Sequence, residues 1–388
     1  MIGISKLYCG TVEASDALRY GRDAQAITVP GAERKPVVVW NVGRRCNLRC
    51  RHCYSHSRDE VYDGELSTAE GKHLLDGLAE FSAPVVLFSG GEPLLRADLF
   101  ELIAHARTRG LRAVLSTNGT LITAEVAGRL RELGLAYVGV SLDGPAETND
   151  RFRGVPGAFA LALQGIAHCR EAGLKVGLRF TMHRQNIDEL PGIFALLRRE
   201  AIPRVCFYHL VYAGRGSHLQ AEDLSHVETR AALDTILEQT RALHDGGFPL
   251  EALTVDNHCD GPYLYLRLLR EHPARAAQAM ALLRRNGGNS AGIGIGCVSW
   301  DGSVYPDQFW RSHPLGNVRE RPFGDIWTDM AHPLLRVLKA RKPSLTGRCA
   351  GCKWLDICNG NLRARAEAVT GDPWAPDPAC YLTDEEIA

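Results

Sequence analysis

The chain has 388 residues, with 45 Lys and Arg against 45 Asp and Glu, a formal charge of zero and 45% hydrophobic residues. That balance excludes an overall basic field for nucleic acid, and no apolar run approaches the roughly 20 residues needed to cross a bilayer. Of twelve cysteines, seven fall into ligand-like groupings, which points to metal ligation in a reducing compartment rather than to secreted disulfides.

Residues 1–35 read as a lead-in without clear periodicity. Their N-terminus lacks the apolar core of a signal peptide, so a cytoplasmic protein is expected. Cys9 stands alone there, and a lone cysteine ordinarily packs as a small apolar residue. From residue 36 to 245 strands and helices alternate. Apolar strands are predicted at 37–42, 84–89, 112–117, 137–142, 175–182 and 204–211. Helices are predicted at 68–81, 97–108, 124–132, 158–172 and 187–200, with another at 225–244. Strands buried on both faces and joined by helical crossovers form a parallel sheet. The expected fold is therefore α/β, a partial barrel of six β/α units. Active sites of such folds lie where strands end and loops begin.

The first strand ends in Cys46-Asn47-Leu48-Arg49-Cys50-Arg51-His52-Cys53. Three thiolates at this spacing hold three irons of a 4Fe-4S cubane, and no nearby fourth cysteine closes the site, so one iron stays open. A zinc site would more usually use two cysteine pairs. The second strand ends in Ser89-Gly90-Gly91-Glu92-Pro93, where two glycines permit close backbone approach. The third and fourth end in Ser116-Thr117-Asn118-Gly119 and Ser141-Leu142-Asp143-Gly144, which offer polar groups to a ligand but are also ordinary turn formers. Arg179 interrupts the apolar fifth strand and needs an anionic partner, either a ligand or a barrel glutamate. Beyond the sixth strand, His209 and Arg215 are candidate substrate contacts.

Residues 246–291 read as a bridge of low periodicity. They include Asp256-Asn257-His258-Cys259-Asp260, which is dense in possible ligands and fits no motif. The final unit, 292–388, carries a hairpin signal at Asp301-Gly302. Cys349, Cys352, Cys358 and Cys380 follow and supply a full thiolate set for a second 4Fe-4S cluster. Zinc fits four cysteines as well.

The open-iron cysteine loop and the strand-end motifs resemble the radical S-adenosylmethionine (SAM) superfamily. The resemblance implies that SAM binds the open iron and is cleaved to methionine and a 5'-deoxyadenosyl radical. His52 fills the family's aromatic place before the third cysteine. Gly90, Gly91 and Glu92 correspond to the loop that meets the SAM amino group, Ser116, Asn118, Ser141 and Asp143 to polar contacts, and Arg179 to a partner for the SAM carboxylate. The C-terminal cysteines are similar to the SPASM extension, which often carries two auxiliary clusters. Here Leu362 stands where a further cysteine is usual, so one auxiliary cluster is expected, with Cys297 either free near the substrate or packed.

The segments 2–10, 39–41, 207–210, 306–310 and 372–378 look like the tetrapyrrole-tailoring branch, and the N-terminal one like the deacetylases of the alternative haem pathway. That implies removal of two acetate side chains from 12,18-didecarboxysirohaem to give iron-coproporphyrin III, with electrons from an external donor such as ferredoxin or flavodoxin. The haem d1 branch and peptide-modifying SPASM enzymes are the alternatives. On this reading Cys297 and His209 are catalytic candidates, and His209 or His258 a candidate axial ligand. Arg19, Arg22, Arg151, Arg153, Arg215 and Arg311 are candidate partners for the macrocycle's carboxylates.

Overall fold

The computed structural model describes residues 1–21 and 35–388, so Arg22 lies outside the described residues. Its strands are β1 (Ile2–Gly3), β2 (Val37–Gly43), β3 (Val86–Gly90), β4 (Ala113–Thr117), β5 (Val138–Ser141) and β6 (Val176–Met182). They continue with β7 (Arg204–His209), β8 (Glu251–Val255), β9 (Ile295–Val298), β10 (Ser303–Tyr305) and β11 (Gly316–Asn317). All belong to one sheet of order β1-β8-β7-β6-β5-β4-β3-β2-β9-β10-β11.

The run from β2 to β8 is parallel throughout. Its alternation assigns the two faces. Val38, Trp40 and Val42 of β2 are fully buried in the main apolar core, whereas Val37 and Val39 line a central cavity together with Leu87 and Ser116. Helices Thr68–Glu80 and His226–Asp245 each begin with a capping box, Ser67 with Glu70 and Ser225 with Glu228, which satisfies backbone donors that a helix start leaves orphaned.

Two expectations differ from the structure. The lead-in is a core element, since Ile2, Ile4, Leu7 and Tyr8 are buried and β1 pairs antiparallel with β8. The supposed bridge supplies β8, parallel to β7, and the helices Asp260–Glu271 and Pro273–Asn286. Its strand was obscured by charge. Glu251 opens β8 with its side chain only 3% exposed, where Arg19, Lys175 and Arg204 neutralise it, so the apolar run expected of a buried strand is broken. At the far edge β9 pairs parallel with β2 and β10 antiparallel with β9. The sheet therefore passes without a break into the C-terminal unit.

Candidate functional site

The cysteine loop leaves β2 at the carboxyl end of the parallel strands. Backbone bonds hold it there, from Cys46 N to Arg58 O at 2.9 Å and from Arg49 N to Arg153 O at 2.9 Å. Arg215 braces it from the exit of β7, donating from Nε to Cys50 O and from Nη1 to Ser57 O, each at 2.8 Å. Each sulfur has a polar neighbour. Leu48 N lies 3.5 Å from Cys46 Sγ, Arg153 Nη1 3.6 Å from Cys50 Sγ, and Ser55 Oγ 3.3 Å from Cys53 Sγ. Burial, followed by the neighbouring Cys50, pushes the Cys46 thiol up to about 12. A metal replaces that proton, and donors aimed at the sulfurs suit an anionic iron–sulfur cluster.

The Gly-Gly-Glu stretch locks this loop in place. A Cβ at Gly91 would lie 2.2 Å from Arg45 O and one at Gly90 2.3 Å from Gly43 O, so only glycine allows the exits of β2 and β3 to touch. The close approach is thus to the cysteine loop's own backbone, with Gly91 N bonded to Gly43 O at 2.9 Å and Glu92 N to Arg45 O at 2.8 Å. Glu92 is buried and accepts from Thr117 Oγ1 at 2.7 Å, Asn118 N at 2.8 Å and Leu94 N at 3.1 Å.

Below the loop is a cavity of about 330 Å³, bordered by His52, Ser116, Ser141, Arg179 and His209. Arg179 donates from Nη1 to Ser116 Oγ at 2.6 Å, and its Nε is buried without a partner. Among the described residues it has no carboxylate partner, so the barrel-glutamate alternative is not what the structure holds. His52 stacks on Phe152 with ring centres 4.8 Å apart, and burial lowers its imidazole to about 4, leaving it neutral. The Nδ1 atoms of His52 and His258 and the Oδ2 of Asp256 are likewise buried without partners. Asp256 holds a left-handed backbone, with φ of 68°, a conformation that concentrates at functional sites. His209 bonds through Nε2 to Asp260 Oδ2 at 2.9 Å.

Three expected ligand contacts face elsewhere. Asp143 is fully buried against Arg153, 2.6 Å from Nη2, and accepts from Thr181 N; it positions the guanidinium that meets Cys50. Asn118 donates to Asn47 Oδ1 at 2.8 Å and approaches Cys46 Sγ at 3.9 Å, supporting the cysteine loop. Cys297 on β9 is fully buried among Val39, Tyr305, Leu87 and Ile295, with Asn41 Nδ2 3.5 Å from its sulfur. Burial pushes its thiol far above the usual range. It is the packed alternative, one side chain removed from the cavity, because Asn41 also accepts from Tyr54 at 2.9 Å.

A second cavity of about 480 Å³ opens at the mouth, bordered by Tyr54, Trp300, Phe309, Trp310, Arg44 and Arg311. Tyr54 and Phe309 line both cavities and meet edge to face at 5.4 Å. Arg311 lies 4.1 Å from the Trp300 ring centre, and Arg44 5.0 Å from it. Of the other arginines singled out, Arg19 pairs with Asp16 and Glu251, exposed Arg151 approaches Glu147, and Arg153 and Arg215 serve the cysteine loop. Arg44 and the aromatic rim were missed because their positions are scattered along the chain; the arginine two residues before Cys46 was the available signal.

Cys352, Cys358 and Cys380 of the C-terminal unit pack against the main core, and Cys349 lies near them. Among the described residues no three His, Cys, Asp or Glu side chains converge on a point for one metal ion. Leu362, in the place of the missing cysteine, is buried and lines the barrel cavity. Cys9 is partly buried against the core, and Cys259 lies beside Cys358 and Cys380.

Residues 40–197 match the model of the radical SAM superfamily, and residues 294–353 that of the SPASM iron–sulfur cluster-binding domain. A Methanosarcina barkeri protein named Fe-coproporphyrin III synthase is 64% identical, covering 100% of this chain and 99% of that one. The chain belongs to the radical SAM superfamily. A pre-haem d1 synthase of Dinoroseobacter shibae is 44% identical over 91% of this chain and 87% of its own. Among solved structures, Streptococcus suis SuiB bound to precursor peptide SuiA has a TM-score of 0.71 at 16% identity, covering 90% of this chain and 76% of that one. The anSMEcpe structure with bound AdoMet has a TM-score of 0.69 at 19% identity, covering 89% and 94%. At such identities the likeness is one of fold. As a radical SAM enzyme the protein uses a 4Fe-4S cluster and SAM, and its SPASM domain brings a further iron–sulfur centre.

Proposed function

We propose that the protein is an iron-coproporphyrin III synthase, removing two acetate side chains from 12,18-didecarboxysirohaem. The observation that carries this reading is the 64% identity with the Methanosarcina barkeri synthase over the whole of this chain. The two cavities, which share Tyr54 and Phe309 in their linings, support it. The outer one offers aromatic faces for a flat macrocycle and two guanidiniums for its carboxylates. The inner one offers the Nδ1 of His258, buried without a partner among the described residues, as an axial ligand to the substrate's iron, while its Nε2 meets the Met1 amine at 3.2 Å.

Cys46, Cys50 and Cys53 would hold the radical SAM cluster, and Cys349, Cys352, Cys358 and Cys380 the auxiliary one. When bound, the first cluster and SAM supply reductive carbon–sulfur cleavage and hydrogen-atom abstraction. The chain's own residues bind and orient. Arg179, which has no carboxylate partner among the described residues, presents its guanidinium to the SAM carboxylate, with Ser116 and Ser141 beside it, while the Tyr54–Phe309 pair screens the inner cavity from water. Electrons come from an external donor of the ferredoxin or flavodoxin type. A cytoplasmic setting accords with a chain in which no described helix is long and apolar enough to cross a membrane.

Substituting Arg179→Gln is expected to raise the KM for SAM roughly ten- to hundredfold with a smaller change in kcat, since a hydrogen bond to a charged group contributes about 1.5–3 kcal/mol. An unchanged KM would remove Arg179 from the SAM site. The substrate is tested by incubating cluster-loaded protein anaerobically with reductant, SAM and didecarboxysirohaem, and following the tetrapyrrole by mass spectrometry. Loss of two acetate groups alongside 5'-deoxyadenosine supports the proposal. If 5'-deoxyadenosine forms while the acetates persist, the substrate assignment is wrong; oxidised side chains would then point to the haem d1 branch.

A further inference from the structure

A third cavity, of about 230 Å³, lies at the amino ends of the parallel strands, away from the cysteine loop. Val37 and Arg204 open β2 and β7, Arg112 directly precedes β4 and Tyr137 directly precedes β5, and all four border it. Its lining shares Val37, Leu87, Arg179 and Ile295 with the inner cavity. Chemistry in parallel α/β folds is carried at the opposite ends of the strands, so stability alone calls for an apolar plug here. The lining is instead charged. Arg19, Arg112, Arg179 and Arg204 border the chamber, and among the described residues no Asp or Glu does. The Nε of each arginine is buried without a partner. Glu251 lies 3.0 Å from Arg19 and 3.5 Å from Arg204, whereas Arg112, like Arg179, has no carboxylate partner among the described residues.

Tyr137 adds a neutral donor. It is 6% exposed, and its hydroxyl is buried without a partner. Arg204 lies 4.6 Å from its ring centre. A Cβ at Gly177 would fall 2.4 Å from its oxygen, so that glycine keeps the space the phenol occupies. Buried donors that lack acceptors cost free energy, and buried cations call for an anion. The remaining lining includes Val37, Val85, Leu87 and Val114. We propose that this chamber is a binding site for a short aliphatic carboxylate, its head met by Tyr137 and the arginines and its carbon chain lying on the valines. The guanidinium fork matches a carboxylate, and the apolar wall favours a carbon chain over an inorganic anion. Such a carboxylate is either free in solution or the end of a side chain on a larger ligand in the inner cavity.

The test uses the full-length, cluster-loaded chain under anaerobic conditions with saturating SAM, which fills the site assigned to it beside Arg179. Propionate binding is followed by saturation-transfer NMR on its methyl group, with propionamide as the neutral analogue. The unaltered chain should bind propionate and not propionamide. Arg112→Gln and Tyr137→Phe should each weaken propionate binding roughly tenfold or more, in samples whose iron content and Tm match the unaltered chain. Arg112→Lys, which keeps the charge but not the fork, should lose less. Equal signals from the two probes in the unaltered chain would overturn the proposal whatever the variants do, and so would propionate binding that neither Arg112→Gln nor Tyr137→Phe weakens. Didecarboxysirohaem then separates the two sources. If it displaces propionate and itself binds more weakly to Arg112→Gln, the occupant is a side chain of the macrocycle; if propionate stays bound beside it, the occupant is a free carboxylate. Either result supports the site, which stands whether or not the tetrapyrrole assignment does.

Discussion

Replacing Cys50 by Ala is expected to abolish SAM cleavage, taking 5'-deoxyadenosine to the level of a no-enzyme control. Three sulfurs serve three irons in this loop, so none can be spared. Cys50 is also the one met by the buried Arg153 guanidinium, at 3.6 Å, and Arg153 is held in turn by Asp143 at 2.6 Å. Losing the sulfur removes a ligand and leaves a cation facing an apolar hole among Leu48 and Ala158. Iron content should fall by about half, from roughly eight to roughly four atoms per chain, because the auxiliary site has its own thiolates. Cleavage that persists in Cys50→Ala would sink the assignment of this loop. If all the iron is lost instead, the two sites do not load independently.

The parallel core was legible because its strands are mostly apolar runs and its helices carry clear periodicity. Both signals come from burial, which side-chain type reports directly. The strand Glu251–Val255 was not, because its first residue is a carboxylate made tolerable by arginines far away in sequence. The site divided in the same way. The cysteines and the Gly-Gly-Glu stretch announce themselves by spacing, and Arg179 by standing alone in an apolar strand. Asp143 and Asn118 sit at strand ends where a ligand contact is plausible, yet their side chains turn to Arg153 and to Asn47. Strand position alone does not fix that choice of direction. Cys259 carried no spacing signal at all, since its neighbours Cys358 and Cys380 are brought to it only by the fold.

The second large effect concerns how the C-terminal unit is fastened to the barrel. Arg365 and Asp377 form a bidentate pair, 2.8 Å from Nε to Oδ1 and 2.9 Å from Nη2 to Oδ2, with side chains 0% and 1% exposed. The same guanidinium donates to Leu210 O, just beyond β7, and to Asp256 O, just beyond β8, each at 3.0 Å. Asp377 also accepts from Leu362 N and Ala379 N, which flank the auxiliary cysteines. Removing the carboxylate by Asp377→Ala strands a buried cation and should destabilise the protein by about 3–5 kcal/mol. A fall in Tm of roughly 4–6 °C follows, to be read by thermal scans of samples matched for iron. The double change Asp377→Leu with Arg365→Met should recover much of that loss, because an apolar pair of similar volume often equals a buried ion pair. It would not restore the bonds to Leu210 and Asp256, however. If the double variant regains its Tm but turns over poorly, the pair serves to hold the ends of β7 and β8 around the cavity. If activity returns with stability, the pair is a fastening alone. A Tm unchanged in Asp377→Ala would contradict the buried charge argument from which both outcomes follow.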